Sequence, residues 1–227
     1  MDLGARQDDP VGTRGSAKER LVAAGFALFD ERGYERTTVD DIAERAGVSR
    51  TTFFRVFRTK EDVIFPDHDE LLGAIRERLH ASTPRTALIA VAEAASLVLA
   101  HYLEEGERAR ARYRLTRTVP TLRERESAGI RQYTNVFRDY LHRWMDGGPD
   151  TALRAQLMAN AVVTAHNHVL RRWLRHETDQ PMAEVDQAMT EVRRIFEPRD
   201  DDEPVVLVVR TRGDLERVLP LITDHLT

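Results

Sequence analysis

The chain of 227 residues contains no cysteine, so disulfides, thiolate metal sites and cysteine nucleophiles are excluded at the outset. Lysine is nearly absent as well: Lys18 and Lys60 are the two lysines among 34 basic residues, the rest being arginine. No apolar run approaches the roughly 20 residues needed to cross a bilayer. The stretch from Met1 to about Gly15 is polar and lacks the apolar core of a signal peptide, so a disordered arm on a cytoplasmic protein is expected. A net charge of -4 argues against coating nucleic acid by bulk electrostatics; any such contact must come from a local basic patch. There is no Gly-rich phosphate loop, no nucleophile elbow and no His and carboxylate set at metal spacing. An enzyme would have only generic Asp, Glu and His to draw on, so neither catalysis, nor a metal, nor a cofactor is expected.

What is present is helical. With 41% hydrophobic and 32% charged residues the composition is that of a globular chain. From Ala17 to Arg32 the apolar residues Leu21, Val22, Phe26, Leu28 and Phe29 recur at helical spacing, with Ser16 to cap the start and Gly33 the end. A short second helix is expected after Thr38, with Asp40 and Asp41 favourable in its first turn. Gly47 supplies a turn, and Ser49 caps a third helix over 50–57. Such short helices are unstable alone and need the first as a lid. A longer helix follows from about Lys60 to Ala81, with a break or kink near Pro66. Pro84, Pro120 and Pro181 mark helix starts, and Gly106, Gly147 and Gly148 mark stops, giving helices near 85–104, 107–117, 120–146, 150–176 and 181–196. The stretch from Leu157 to Leu174 is apolar on more than one face, which calls for a partner beyond its own core. After an acidic linker from Arg199 to Pro204, Val205 to Val209 reads as a short strand and 214–226 as a helix; a longer last helix is the alternative.

From Arg45 to Lys60 the charged residues are Arg45, Arg50, Arg55, Arg58 and Lys60, with no acid among them. The ordered run Thr37-Thr38-Val39-Asp40-Asp41-Ile42-Ala43, then Ala46-Gly47-Val48-Ser49, then Thr52-Phe53-Phe54-Arg55-Val56-Phe57 and Lys60-Glu61-Asp62 closely resembles the TetR family of bacterial repressors. The resemblance covers about residues 17 to 65. It implies an all-α protein, with a three-helix helix-turn-helix DNA-binding domain over 16–63, a larger helical ligand and dimerisation domain over 64–198 and an extension over 199–227. It further implies release of operator DNA when a small molecule binds. The residues agree: Arg50, Thr51 and Thr52 occupy the first turn of the recognition helix, where base edges are read. Phe53 and Phe57 face the core, leaving Phe54 and Arg55 outward. Thr38, Ser49 and Lys60 stand at helix starts, and the family positions matching Thr38 and Lys60 hold phosphates. Family members usually carry Tyr at the position of Phe54 and often His at that of Val56; without the hydroxyl, the Phe54 ring is left to contact a thymine methyl.

The rest resembles the family only in length and helicity. His101, Tyr102, Arg117, Tyr133, Phe137, His166, Asn167 and Trp173 are candidates for a ligand pocket, each with ordinary core as the alternative. As i and i+2, His166 and His168 point to different faces and cannot chelate one metal. The arginines at 108, 110, 112, 114, 117, 123 and 125 either hold a phosphate-rich or carboxylate effector such as an acyl-coenzyme A, or form a solvated face paired with neighbouring glutamates; the second is favoured. The expected partners are double-stranded operator DNA, an unknown small-molecule effector, and a second copy of the chain through the helix near 150–176 and the one after it. A constitutive or activating regulator without a ligand is the main alternative.

Overall fold

The computed structural model describes residues 15–65, 68–83, 86–145 and 147–196. The arm before Gly15, Pro66, Pro84 and everything expected beyond Phe196, including the strand, lie outside the described residues. Among the described residues every regular element is helical: α1 (Ala17–Arg32), α2 (Val39–Arg45), α3 (Arg50–Val56), a 3-10 turn (Glu61–Val63), α4 (His68–His80), α5 (Ala87–Glu105), α6 (Glu107–Thr118), α7 (Pro120–Trp144), α8 (Pro149–Leu174) and α9 (Pro181–Phe196).

The starts of the helices follow from their caps. Ser16 and Thr38 each form a capping box, with Glu19 and Asp41 respectively, and Ser49 accepts from the Thr52 amide. Such caps contribute about 1 kcal/mol apiece. Pro120, Pro149 and Pro181 open α7, α8 and α9, where a missing amide hydrogen costs nothing. The helix expected from about Lys60, with a break or kink near Pro66, is found as a 3-10 turn over Glu61–Val63 followed by α4 from His68.

Two apolar clusters result. Leu21, Leu28, Ile42, Phe53, Phe57, Val63 and Ile64 form the smaller one, which Val119 and Leu122 from the α6–α7 junction complete. The larger gathers α4, α5 and α7 to α9 around Val91, Leu99, Phe137, Leu141, Val162 and Val185. Helix α5 runs through its middle, packing on α4, α6, α7, α8 and α9. Contrary to the reading of the sequence, its 19 residues are long and apolar enough to cross a membrane by length and composition. Its alanine and valine face is buried against the other helices: Ala90, Val91, Ala94, Ala95 and Val98 are nearly inaccessible. Helix α8 buries Met158, Val162 and Trp173 while Leu153 and Leu157 stand 68% and 51% exposed.

Candidate nucleic-acid interface and ligand cavity

The helices α2 and α3 are held at a fixed angle by their connection. Gly47 takes φ +65°, a conformation that L side chains rarely adopt, and the Val48 amide returns to the Ala43 carbonyl at 3.0 Å. Phe53 and Phe57 then lock α3 into the core, their ring centroids 6.0 Å apart. Locked this way, α3 turns Arg50, Thr51, Phe54 and Arg55 to solvent, Phe54 at 45% exposure. Thr38 and Ser49 are exposed with their hydroxyls engaged in capping, and Thr52 is half-buried with its hydroxyl 3.0 Å from that of Ser49. The Arg50 guanidinium lies 5.2 Å from the Phe54 ring centroid and pairs with the Asp40 carboxylate. Arg45 pairs with Glu31 at 2.5 Å. The basic patch is therefore partly neutralised by acids outside the 45–60 stretch.

Lys60 is half-buried. Its ammonium sits 3.9 Å from the Tyr34 ring centroid and donates to the carbonyls of Tyr34 and Thr37 at 2.9 and 3.0 Å. The Tyr34 hydroxyl in turn donates to the Glu61 carboxylate; burial first, then that carboxylate, pushes the phenol well above its usual range. Thr37 is buried and donates to the Gly33 carbonyl at 2.9 Å. Lys60 and its neighbours thus fix the loop that ends at the Thr38 cap. Sequence reasoning gave Tyr34 no place, and Thr37 and Glu61 only a place in the family-like run without a role; the signal for the cluster was Lys60, one of two lysines in an arginine-using chain.

Two arginines fasten this module to the larger bundle. Asp62 accepts from the Arg58 and Thr59 amides, both at 2.9 Å, and pairs with Arg125 of α7. Arg112 of α6, only 5% exposed, donates through Nε to the Ile64 carbonyl at 2.7 Å and pairs with the equally buried Glu105. His68, the first residue of α4, ties that helix to α7 through the Tyr133 hydroxyl at 3.0 Å and Gln132 at 2.6 Å.

A cavity of about 80 Å³ lies between Phe65 and helices α5 to α8. Tyr102, Tyr133, Phe137, His166 and Asn167 line it. The other three expected pocket residues are elsewhere. His101 borders a smaller hollow of about 30 Å³, its Nε2 3.7 Å from Glu105. Arg117 is exposed and reaches the Tyr113 hydroxyl at 3.4 Å, while Trp173 is core, covered by the Arg110 guanidinium 4.4 Å from its ring centroid. Arg112 and Arg125, which the sequence offered for an effector only within a stretch favoured as a solvated face, are also in the wall, as are Tyr113, Glu126 and Arg171, which were not pocket candidates. A clue existed for the first: Ala109, Arg112 and Thr116 are the buried face of α6, so an arginine stands where an apolar residue belongs. Burial raises the Glu126 carboxyl, against the opposing charge of Arg171. His166 is 7% exposed, and desolvation lowers it to about 4, so its ring is neutral.

Residues 21–75 match the model for bacterial regulatory proteins of the tetR family. The putative mycofactocin biosynthesis transcriptional regulator MftR of Mycobacterium tuberculosis is 27% identical over 170 residues, spanning 74% of this chain and 85% of the relative. The transcriptional activator FasR of Mycolicibacterium smegmatis is 25% identical over 173 residues, spanning 72% and 75%. The fold is that of Thermus thermophilus FadR, a TetR family transcriptional repressor solved in complex with lauroyl-CoA, at a TM-score of 0.53 and 19% identity, covering 87% of this chain and all of that one.

Proposed function

We propose that this chain, whose residues 21–75 match the model for tetR family regulators, is a homodimeric transcriptional repressor that lets go of operator DNA when a small molecule occupies the α5–α8 cavity. One observation carries the DNA half of the reading: α3 is locked by Phe53 and Phe57 so that Arg50, Thr51, Phe54 and Arg55 share its outward side. The reading assigns base edges to Arg50, Thr51 and Thr52, a thymine methyl to Phe54, and phosphates to Thr38, Ser49, Arg55 and Lys60.

Arg112 supports the ligand half. It lines the cavity and holds the Ile64 carbonyl, just after the 3-10 turn, so an occupant that displaces its side chain loosens the joint between module and bundle. The dimer would then favour a spacing of recognition helices unsuited to successive major-groove turns, which lie about 34 to 36 Å apart. Exposed Leu153 and Leu157 on α8 and Ile195 on α9 offer the apolar surface for pairing. An acyl-coenzyme A effector has the support of the lauroyl-CoA held by the Thermus thermophilus protein; against it, Arg110, Arg112 and Arg125 are already engaged with Glu107, Glu105 and Asp62. Activation instead of repression has the precedent of the Mycolicibacterium smegmatis activator.

The test is a fluorescence-anisotropy titration against DNA from upstream of the chain's own gene, with unrelated duplex as competitor and salt varied. Preference by a factor of about a thousand or more for the upstream DNA is expected. Equal and wholly salt-driven binding to both duplexes, repeated in a random-sequence selection, would refute a sequence-specific regulator.

A further inference from the structure

The cavity between α5 and α8 does not end at its own walls. Ile130, Val163, Asn167 and Arg171 line it and also line a second hollow, a groove of about 540 Å³ between α7 and α8. The two spaces differ in chemistry. Around the inner one stand Val98, Phe137, Leu170 and Leu174, whereas Arg131, Thr134, Asn135, Gln156 and Asn160 complete the groove. On α8 the groove residues Gln156, Asn160, Val163, Asn167 and Arg171 follow at intervals of three or four, so one helix face carries the wall from amide to guanidinium.

Size and charge decide what such a pair of spaces can hold. An apolar cavity of about 150 Å³ takes benzene, and the inner space here is about 80 Å³. A group seated in it is therefore slender, and the rest of the molecule must pass Val163 and Asn167 into the groove. The buried part is hydrocarbon, to match the wall, and the part in the groove is polar. No acid is among the groove's described lining, while Arg131 and Arg171 bring two positive charges. Arg171 also faces Glu126 of the inner wall, but Arg131 is exposed and enters no ion pair among the described residues. The amides and hydroxyls between them donate and accept alike, so the arginines set the sign, and a guanidinium fork pairs with a carboxylate.

We infer that the effector is a slender aliphatic carboxylic acid, its chain in the cavity beside Val98 and Phe137 and its carboxylate in the α7–α8 groove, held by Arg131 and the side-chain amides. This rests on reading the cavity as the effector site of the regulator. It goes further in fixing the ligand class and the direction in which the ligand lies.

Octanoate, 1-octanol and octylammonium share one chain and differ in the head group; butyrate keeps the head and shortens the chain, and octanoyl-CoA masks the head as a thioester. Binding of each is measured by calorimetry on the full chain. Octanoate is expected to bind about tenfold or more tighter than 1-octanol or octylammonium, and butyrate about a hundredfold weaker than octanoate. In Arg131→Gln, at an exposed position, octanoate should fall to the affinity of 1-octanol while 1-octanol is unchanged. In the unsubstituted protein the terminal methyl of octanoate should give nuclear Overhauser contacts to the Phe137 ring. No binding of octanoate, equal binding of 1-octanol or octylammonium, butyrate matching octanoate, octanoyl-CoA binding more tightly than octanoate, a preference that survives Arg131→Gln, or a terminal methyl remote from Phe137 would each overturn the inference. Octanoate bound as described with operator affinity unchanged would uphold the ligand class and refute ligand-responsive repression instead.

Discussion

Lys60 places a full charge where two carbonyls and an aromatic face converge, and its removal should be felt twice. In Lys60→Met the Tyr34 and Thr37 carbonyls lose their shared donor, and chemical unfolding should show a loss of about 1 to 2 kcal/mol. Affinity for all duplexes should fall alike, and the slope of log K against log salt should flatten by about one, as for one lost phosphate contact. An unchanged slope would mean that Lys60 serves the loop alone. His166 gives a second residue-scale expectation. Its folded value of about 4 lies below the ordinary 6.5, so between those values the unfolded chain binds the extra proton. Its contribution is present in full above pH 6.5, is lost progressively as pH falls toward about 4, and is gone below that; the loss approaches about 3 kcal/mol. Urea midpoints at pH 7.5 and 5 should diverge less in His166→Phe than in the unsubstituted chain.

At the scale of elements, the seat of the 3-10 turn on α1 depends on a missing side chain. A Cβ on Gly25 would lie 2.5 Å from Val63 Cγ1, and Val63 is fully buried with nowhere to turn. Gly25→Ala should cost about 1 to 3 kcal/mol, and Val63→Ala in the same chain should recover part of it; simple additivity of the two losses in a double-mutant cycle would contradict this packing. Helix order and limits were legible because caps, prolines and periodicity are local signals: the expected helices near 107–117 and 181–196 are found at Glu107–Thr118 and Pro181–Phe196. The side chains that meet across elements were not legible. Arg112 reaches the Ile64 carbonyl 48 residues away, and Asp62 meets Arg125 63 residues away; no window of sequence joins such pairs. The cavity wall was read in part, through Tyr102, Tyr133, Phe137, His166 and Asn167, because aromatic and polar residues on apolar helix faces stand out. Arg112 and Arg125 were offered for an effector only as members of a stretch favoured as solvated, and Arg171, on another helix, was not a candidate.

On the scale of the whole molecule, the proposed pairing predicts that charge on the exposed stripe of α8 separates the subunits. Leu157→Glu should sediment as a monomer, keep its helical content and bind operator far more weakly, since one half-site replaces two. A dimer surviving both Leu157→Glu and Leu153→Glu would place the interface elsewhere. The pairing of Arg50 with Asp40 bears on something different, the search for the target. An arginine already satisfied within the protein gives little grip on an arbitrary stretch of phosphates, and Arg45 with Glu31 is in the same condition. If those pairs hold on DNA, the proposed reading expects short dwell times on random duplex, with hops favoured over long slides. On the proposed reading, Arg50 would change partners only where a base edge offers a better bond than the carboxylate it must leave.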